Sequence, residues 1–385
     1  MIVIADFAIE GKEHIPFNIA IIKYIKDIYI DEPIVYLSEK NNVLNIKSNF
    51  GDKEYDGIIF HEKKFNCPAE VKKGRWFVRE IIEILNVLSL GFMLNKKEVN
   101  VLIITSILPM PHLILKKYLN VNCKKCLIFC HGELEYLLAK DDWRSMLLGY
   151  ALKKSLNIKN TFINYIVLGE SIRKNANSIL KKDMFRYSID HPYIFDCTKQ
   201  SYISNKKIPL QIGTIGIASA QKHTEKIFEI AKKCDTEAKF YIIGKIDKSL
   251  ISFLKEIDNV DWKKNDDLIP LSEYEKKISM MDFLIFFNDN SHYKMCASGT
   301  FFDSLKYNKP IIAIKNDFLE YYFSIFGDIG YLCTNITEME NIIKNIYENR
   351  NVERYRKQID NIKKAKEYLS RDHTIKQLEE IVLND

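Results

Sequence analysis

Residues 281–316 read MDFLIFFNDNSHYKMCASGTFFDSLKYNKPIIAIKN, and the parsing of this stretch decides the fold. A short apolar run ends at Phe287, as a strand buried on both faces does. A polar loop follows. Ser298-Gly299-Thr300 then opens a helical segment that carries Asp303, and Pro310 precedes a second β-branched run. Strand, loop, helix and strand without a hairpin turn imply a parallel sheet. A Ser-Gly-Thr helix start offers backbone N–H groups to an anion beyond the strand end and makes a natural diphosphate seat. Asp303, one turn inside, is placed to accept hydrogen bonds from a ribose diol. An N-capped helix with an exposed aspartate would explain the same residues without a ligand.

The same pattern recurs upstream. Residues 212–233, IGTIGIASAQKHTEKIFEIAKK, are a strand, a loop of small residues and a helix. Gly216, Ala218, Ser219 and Ala220 allow close backbone approach, and Lys222 stands at the helix start, where a phosphate meets both its charge and free amides. Gly244 and Lys245, in the strand-like KFYIIGKI, complete the expected nucleotide-binding set. Ser272–Glu275 and Thr337–Glu340 each fit a capping box that opens a helix. The N-terminal half repeats the alternation, with strand-like MIVIAD, PIVYLS, DGIIFHE, VNVLIITS, KCLIFCHG, YIVLGES and RYSIDHPY. A polar, aperiodic stretch at 196–208 separates the two series. The expected architecture is α/β, with two Rossmann-like domains whose parallel sheets face a central cleft. Residues 1–200 form the first domain, 201–365 the second, and 366–385 a helical tail that returns to the first. In such sheets ligands bind at the strand C-terminal edge.

Composition narrows the function. Among 385 residues, 47% are hydrophobic and 28% charged, an ordinary globular balance. Formal charge is +6. Residues 1–200 hold 29 Lys+Arg against 23 Asp+Glu, leaving 28 of each beyond, so the excess lies in the first half. That excess is too mild for a nucleic-acid binder and suits a patch touching anionic lipid. No apolar run reaches the length of a membrane span, and the N-terminus reads as a strand rather than an export signal. The eight cysteines are therefore expected as free thiols in a reducing cytoplasm. Cys123-x-x-Cys126 and Cys130-His131 do not make a zinc site. Only one Cys-x-x-Cys exists there, and on a strand Cys126 and Cys130 stand about 13 Å apart.

The second half resembles the nucleotide-binding domain of GT-B glycosyltransferases. The large retaining group carries G-R-x-x-x-x-K-G in its first loop, where this chain has Gly216-Ile217-Ala218-Ser219-Ala220-Gln221-Lys222-His223. Glycine and lysine match, and Ile217 replaces the arginine. The later E-x7-E and A-x-x-x-G-x-P-V pattern survives in its second half as Asp303 through Pro310-Ile311, with Met295 where the first glutamate would stand. Ser298-Gly299-Thr300 is closer to the S-G-x-x-T-x-x-E style of inverting members. The resemblance covers about residues 208–350 in motif and the first half only in architecture. It leaves retention and inversion open.

By that resemblance the first domain binds the acceptor, and its loops after strands supply the chemistry. An inverting enzyme needs a base within hydrogen-bond reach of the acceptor hydroxyl. Glu13 or His14, after the first strand, meets that need. So does Glu133, just past the strand that ends at Cys130. His131 is the residue the family pattern would place against the donor sugar. Each has a simpler explanation, since acidic residues favour helix N-termini. Glu170 and Ser171 are explained by capping alone. Residues 71–97 combine Lys72, Lys73, Arg75, Trp76 and Arg79 with an apolar stripe of Val78, Ile81, Ile82, Leu85, Leu88 and Phe92. That suits either a core helix or an anionic membrane surface.

The implied activity is transfer of a sugar from a UDP- or GDP-sugar to a hydroxyl of a glycan or lipid-linked glycan. The setting would be bacterial surface polysaccharide synthesis, in the cytoplasm or peripheral on the inner membrane face. No cofactor or metal is called for, because Lys222 and helix amides can hold the leaving diphosphate. Nucleic acid is not a partner. A GT-B-shaped binding protein without activity, or a sugar-nucleotide 2-epimerase, are the alternatives.

Overall fold

The computed structural model describes residues 1–50, 56–66, 76–94, 98–118, 123–140, 142–159, 162–196, 201, 203–204, 206–254, 256–263 and 269–383. They form two compact units. The first comprises Met1–Tyr193, Met295–Ala297 and Arg371–Asp385, and the second Ile194–Lys294 and Ser298–Ser370. Of the expected linker, residues 197–200, 202 and 205 lie outside the described residues.

The first unit alternates β1 (Ile2–Asp6), α1 (Ile15–Ile28), β2 (Ile34–Ser38), α2 (Lys40–Lys47), β3 (Ile58–Glu62), α3 (Trp76–Leu94) and β4 (Val99–Ser106). It continues with α4 (Pro109–Tyr118), β5 (Cys123–Cys130), α5 (Trp143–Asn157), β6 (Ile163–Val167), α6 (Glu170–Leu180) and β7 (Tyr187–Ser188). The strands pair in the order β3-β2-β1-β4-β5-β6-β7, every pair parallel. Strand order reverses between β1 and β4, the place where doubly wound sheets open a crevice at their C-terminal edge. The central strands are apolar on both faces because helices cover both, and Ile2, Val3, Ile4 and Ala5 have no exposed surface. Asp6 ends β1. It accepts Asn18 Nδ2 at 2.8 Å, the amides of Ala8 and Ile9, and the Ser106 hydroxyl, which fixes the entry to α1.

The second unit runs β8 (Leu210–Ala218), α7 (Lys226–Lys233), β9 (Ala238–Ile246), β10 (Val260–Trp262), α8 (Leu271–Ser279), β11 (Phe283–Phe286) and α9 (Gly299–Lys306). Then come β12 (Ile311–Ile314), α10 (Asp317–Phe326), β13 (Gly330–Cys333), α11 (Ile336–Asn349) and α12 (Val352–Tyr368). Its sheet repeats the order as β10-β9-β8-β11-β12-β13, again all parallel. The last helix, α13 (Arg371–Leu383), belongs to the first unit. Arg371 pairs with Asp27 on α1, and Lys125 Nζ donates to the carbonyls of Ile381 and Val382 at 3.1 and 2.9 Å, capping the helix C-terminus.

One local expectation shifts. Neither capping box forms where the sequence placed it. At α11 the cap is Asn335, which accepts the Glu338 amide at 2.9 Å, and α8 starts behind Pro270 without a side-chain cap. For α3 the sequence left a core face and a surface face open, and its apolar stripe is turned outward: Ile81, Leu85 and Phe92 are exposed, Phe92 by 75%, and Val78, Ile82 and Leu88 are half-buried. Phe77 is exposed as well. The buried side carries Glu80, Glu83 and Asn86 with Val87 and Leu90. Glu83 meets Lys63 at 2.7 Å with both side chains 1% exposed, and Asn86 pairs with both backbone groups of Phe65. Polar partners on the β3 side thus turn the helix outward. Lys72, Lys73 and Arg75 lie outside the described residues.

Candidate functional site

In the second unit, the two loops picked from sequence converge. Gly216, near the end of β8, has φ +83°, and a Cβ there would stand 2.8 Å from Thr300 Cγ2. Gly244 lies opposite it on β9, also at positive φ, and a side chain there would strike the Gly216 carbonyl at 2.1 Å. Gly244 is thus required by the close approach of the β8 backbone, and Gly216 by its positive φ, where β8 comes against the Thr300 side chain at the start of α9. Ser219 is buried, and its amide donates to Thr224 Oγ1 at 3.2 Å. The Lys222 amide closes the turn onto the Ser219 carbonyl at 3.1 Å. Lys245 is half-buried on β9 beside Ile217.

Ser298 is the N-cap of α9, yet its side chain does not bond the helix amides and pairs instead with Thr300 Oγ1 at 3.1 Å. Gly299 is exposed. Asp303 accepts the Tyr274 hydroxyl at 2.9 Å, so its carboxylate is held in place from α8. Burial next to that carboxylate pushes the Tyr274 phenol well up, which keeps it a hydrogen-bond donor.

In the first unit, the strand ends carry a histidine cluster. His14 precedes α1 with φ 52°, and its ring lies 4.6 Å from that of His131. Phe17 stands edge-on to His131 at 4.7 Å and to His191 at 5.2 Å. His131 Nε2 is 2.8 Å from the Thr105 carbonyl, which marks that nitrogen as the donor. Neighbouring atoms enclose these rings although part of each stays accessible. Burial lowers His14 against the raising fields of Asp6 and Glu13. Burial and then the neighbouring imidazoles hold His131 well below the usual range, and His191 falls to about 3. All three are neutral at physiological pH. His14 Nδ1 is buried with no hydrogen-bond partner.

Glu133 opens a 3₁₀ turn, Gly132–Leu138. Both its oxygens take the His131 amide, at 3.0 and 2.9 Å, and burial pushes its carboxyl up to about 7. Glu13 is exposed. Cys126 and Cys130 are buried in β5 with thiols pushed well up by burial, and Cys123 is raised to about 11, so these cysteines pack as neutral thiols. Sequence reasoning missed His191 and Asp6. The rule that selected His131, a polar residue just past an apolar strand, would have found both.

No protein-family profile and no curated protein matches the chain. Solved structures do, and they define a class: the chain has the GT-B fold, the architecture of a broad set of glycosyltransferases. Anabaena HepE in complex with UDP and glucose matches over 100% of both chains at TM-score 0.69 and 10% identity. A glycosyltransferase from Rickettsia africae matches over 100% of this chain and 98% of its own, at 0.64 and 16%. WaaG, a glycosyltransferase involved in lipopolysaccharide biosynthesis, matches over 100% of both at 0.62 and 9%.

Proposed function

We propose that this protein transfers a sugar from a nucleoside-diphosphate sugar to an acceptor hydroxyl, with the donor bound by the second unit and the acceptor by the first. The observation that carries the donor half is the approach of Gly216 to Thr300, which brings the end of β8, leading into the Ser219–Lys222 turn, against the start of α9. That geometry suits a diphosphate, with Lys222 and the α9 amides meeting the leaving group's charge without a metal. Asp303, oriented by Tyr274, is assigned to the ribose. UDP is the first nucleotide to test, because neighbours of the same fold hold it.

For the proton, the reading favours His14 among the three base candidates the sequence offered, Glu13, His14 and Glu133. It is neutral, its Nδ1 has no internal partner, and Asp6 stabilises the imidazolium that forms. Glu133 is engaged by the His131 amide, and His131 serves to orient His14. The acceptor oxygen attacks the anomeric carbon, the bond to the diphosphate oxygen breaks, and the hydroxyl proton passes to His14. A single displacement of this kind inverts the anomeric centre.

Attachment to an anionic membrane leaflet belongs to the same reading. It is supported by the outward apolar face of α3 and by exposed Trp143, Met146 and Tyr150 on α5, whose Trp143 ring lies 5.8 Å from Trp76. Arg144, Lys153 and Lys154 are the only charged residues within α5, which suits acidic headgroups. No described helix is long and apolar enough to cross a membrane. A lipid-linked glycan is the acceptor class this surface would serve.

The test is a thermal-shift screen over UDP, GDP, CMP and TDP with wild type and Asp303→Asn, which keeps an acceptor for Tyr274. One diphosphate should stabilise wild type by several degrees and the variant by much less. Stabilisation by none would leave a GT-B-shaped binding protein, and donor turnover without any acceptor would favour the epimerase.

A further inference from the structure

The loop after β8 and the loop after β11 share a second, unassigned cluster. His223 follows Lys222 and sits at φ 52°, a left-handed conformation that favours glycine and that a non-glycine residue adopts only at a cost. Its Nδ1 lies 3.7 Å from Glu225 Oε1 and its Nε2 lies 3.6 Å from Asp289 Oδ2. These distances suit ion pairs and are too long for hydrogen bonds. Both His223 Nε2 and Glu225 Oε2 are buried without a hydrogen-bond partner, which native structures rarely tolerate without a reason. The titratable and charged groups facing the ring are Glu225 from its own loop, and Asp289 and His292 from the loop after β11, with the His292 ring 6.1 Å away. Lys222 and Lys226 flank it in sequence, and Lys226 is paired with Glu229 at 3.0 Å. Asp289 is itself anchored by the Ser291 amide and hydroxyl.

We infer that His223 is a proton-operated clasp that joins the two donor loops, so that donor binding strengthens as the imidazole gains its second proton. Protonated, His223 carries an N–H toward each carboxylate and ties the Ser219–Lys222 turn to the loop leading to Ser298. Neutral, it leaves Glu225 and Asp289 facing each other across an uncharged ring, and an incoming diphosphate meets two unscreened negative charges. Histidine is the side chain whose charge ordinarily changes between pH 5 and 8. His223 is a positioning residue in this scheme, and the proposal rests on the donor reading above.

Isothermal titration of the full chain with UDP, at about pH 6 and about pH 8, tests it in wild type, His223→Gly and Asp289→Asn. Glycine suits the backbone, so His223→Gly should fold at least as well as wild type at the higher pH. Wild-type affinity should rise about tenfold on going to the lower pH, within the usual range of site coupling. Both variants should lose most of that rise, and whatever His223→Gly retains is UDP's own titration. An unchanged pH dependence in His223→Gly overturns the clasp. If wild type binds no UDP, the donor reading falls for this nucleotide, and thermal unfolding decides the clasp alone. Wild type should then gain stability over Asp289→Asn toward the lower pH, and parallel curves would overturn it.

Discussion

The two sheets share one strand order and put histidines at the same edge, yet the surroundings of those histidines differ. At the first edge His14 lies against His131, Phe17 meets His131 and His191 edge-on, and burial keeps the three imidazoles neutral. At the second edge His223 stands between Glu225 and Asp289, with 3.7 and 3.6 Å from its ring nitrogens to their oxygens. In the proposed scheme one residue type serves two purposes, and the surroundings decide which. A neutral imidazole with an unpartnered nitrogen is ready to take a proton. An imidazole between two carboxylates on separate loops can join them.

The largest expected effect breaks the first half of that contrast. His14→Asn removes the proposed base and keeps a residue that tolerates the left-handed conformation. Turnover of donor with acceptor should fall by about 10²–10⁴, the usual worth of general base catalysis, while donor KM changes little. A loss under about tenfold would remove His14 from the chemistry and return the choice to Glu133 or Glu13. In wild type the acid limb of the rate profile should lie below histidine's usual 6.5, because burial favours the neutral ring.

Next comes the carboxyl that shares the first edge. Glu133 is pushed from 4.5 up to about 7, and Glu80, whose carboxylate accepts the Met110 amide at 3.1 Å, is pushed to about 7 as well. Between these values the folded chain keeps protons that the unfolded chain has released. Stability should therefore fall as pH rises from about 4.5 to about 7, and the whole cost is felt above that. For Glu133 the cost is no more than about 3 kcal/mol, and less to the extent that solvent reaches the group. Glu133→Gln should melt several degrees above wild type at alkaline pH, with the gap closing toward pH 5. Parallel melting curves would show that the carboxyl is better solvated than its surroundings imply. The histidines pull the other way, since His112 and His191, both at about 3, cost stability as pH drops below their usual 6.5.

Much of this was legible in the sequence because its rules are local. Doubly apolar strands alternating with helices predict parallel sheets, and the second-unit loops announced themselves through small residues before a helix. The two loops meet because the switch point of the sheet places β8 beside β11, so strand order carries what spacing cannot. His223 was passed over because a histidine next to a loop lysine has no periodic signature, and its meaning depends on Asp289, which lies in another loop. Which face of α3 is buried was equally out of reach. Periodicity finds a stripe but not its direction, and the direction follows from Lys63 needing Glu83 and the Phe65 backbone needing Asn86.

That outward register supports the smallest prediction, which contrasts the two faces of one helix. Phe92→Ser with Ile81→Ser alters only exposed positions, so melting should move little, within about 0.5 kcal/mol per site. Asn86→Ala, on the buried face, leaves both Phe65 backbone groups without partners and should cost about 1–3 kcal/mol. Co-sedimentation with vesicles containing anionic phosphatidylglycerol should reverse the ranking. The serine pair should lose most of its binding, whereas Asn86→Ala, assayed below its melting point, should keep it. Full vesicle binding by the serine pair would mean that the outward face of α3 meets something other than lipid, while its inward register, set by Lys63 and Phe65, would stand unchanged.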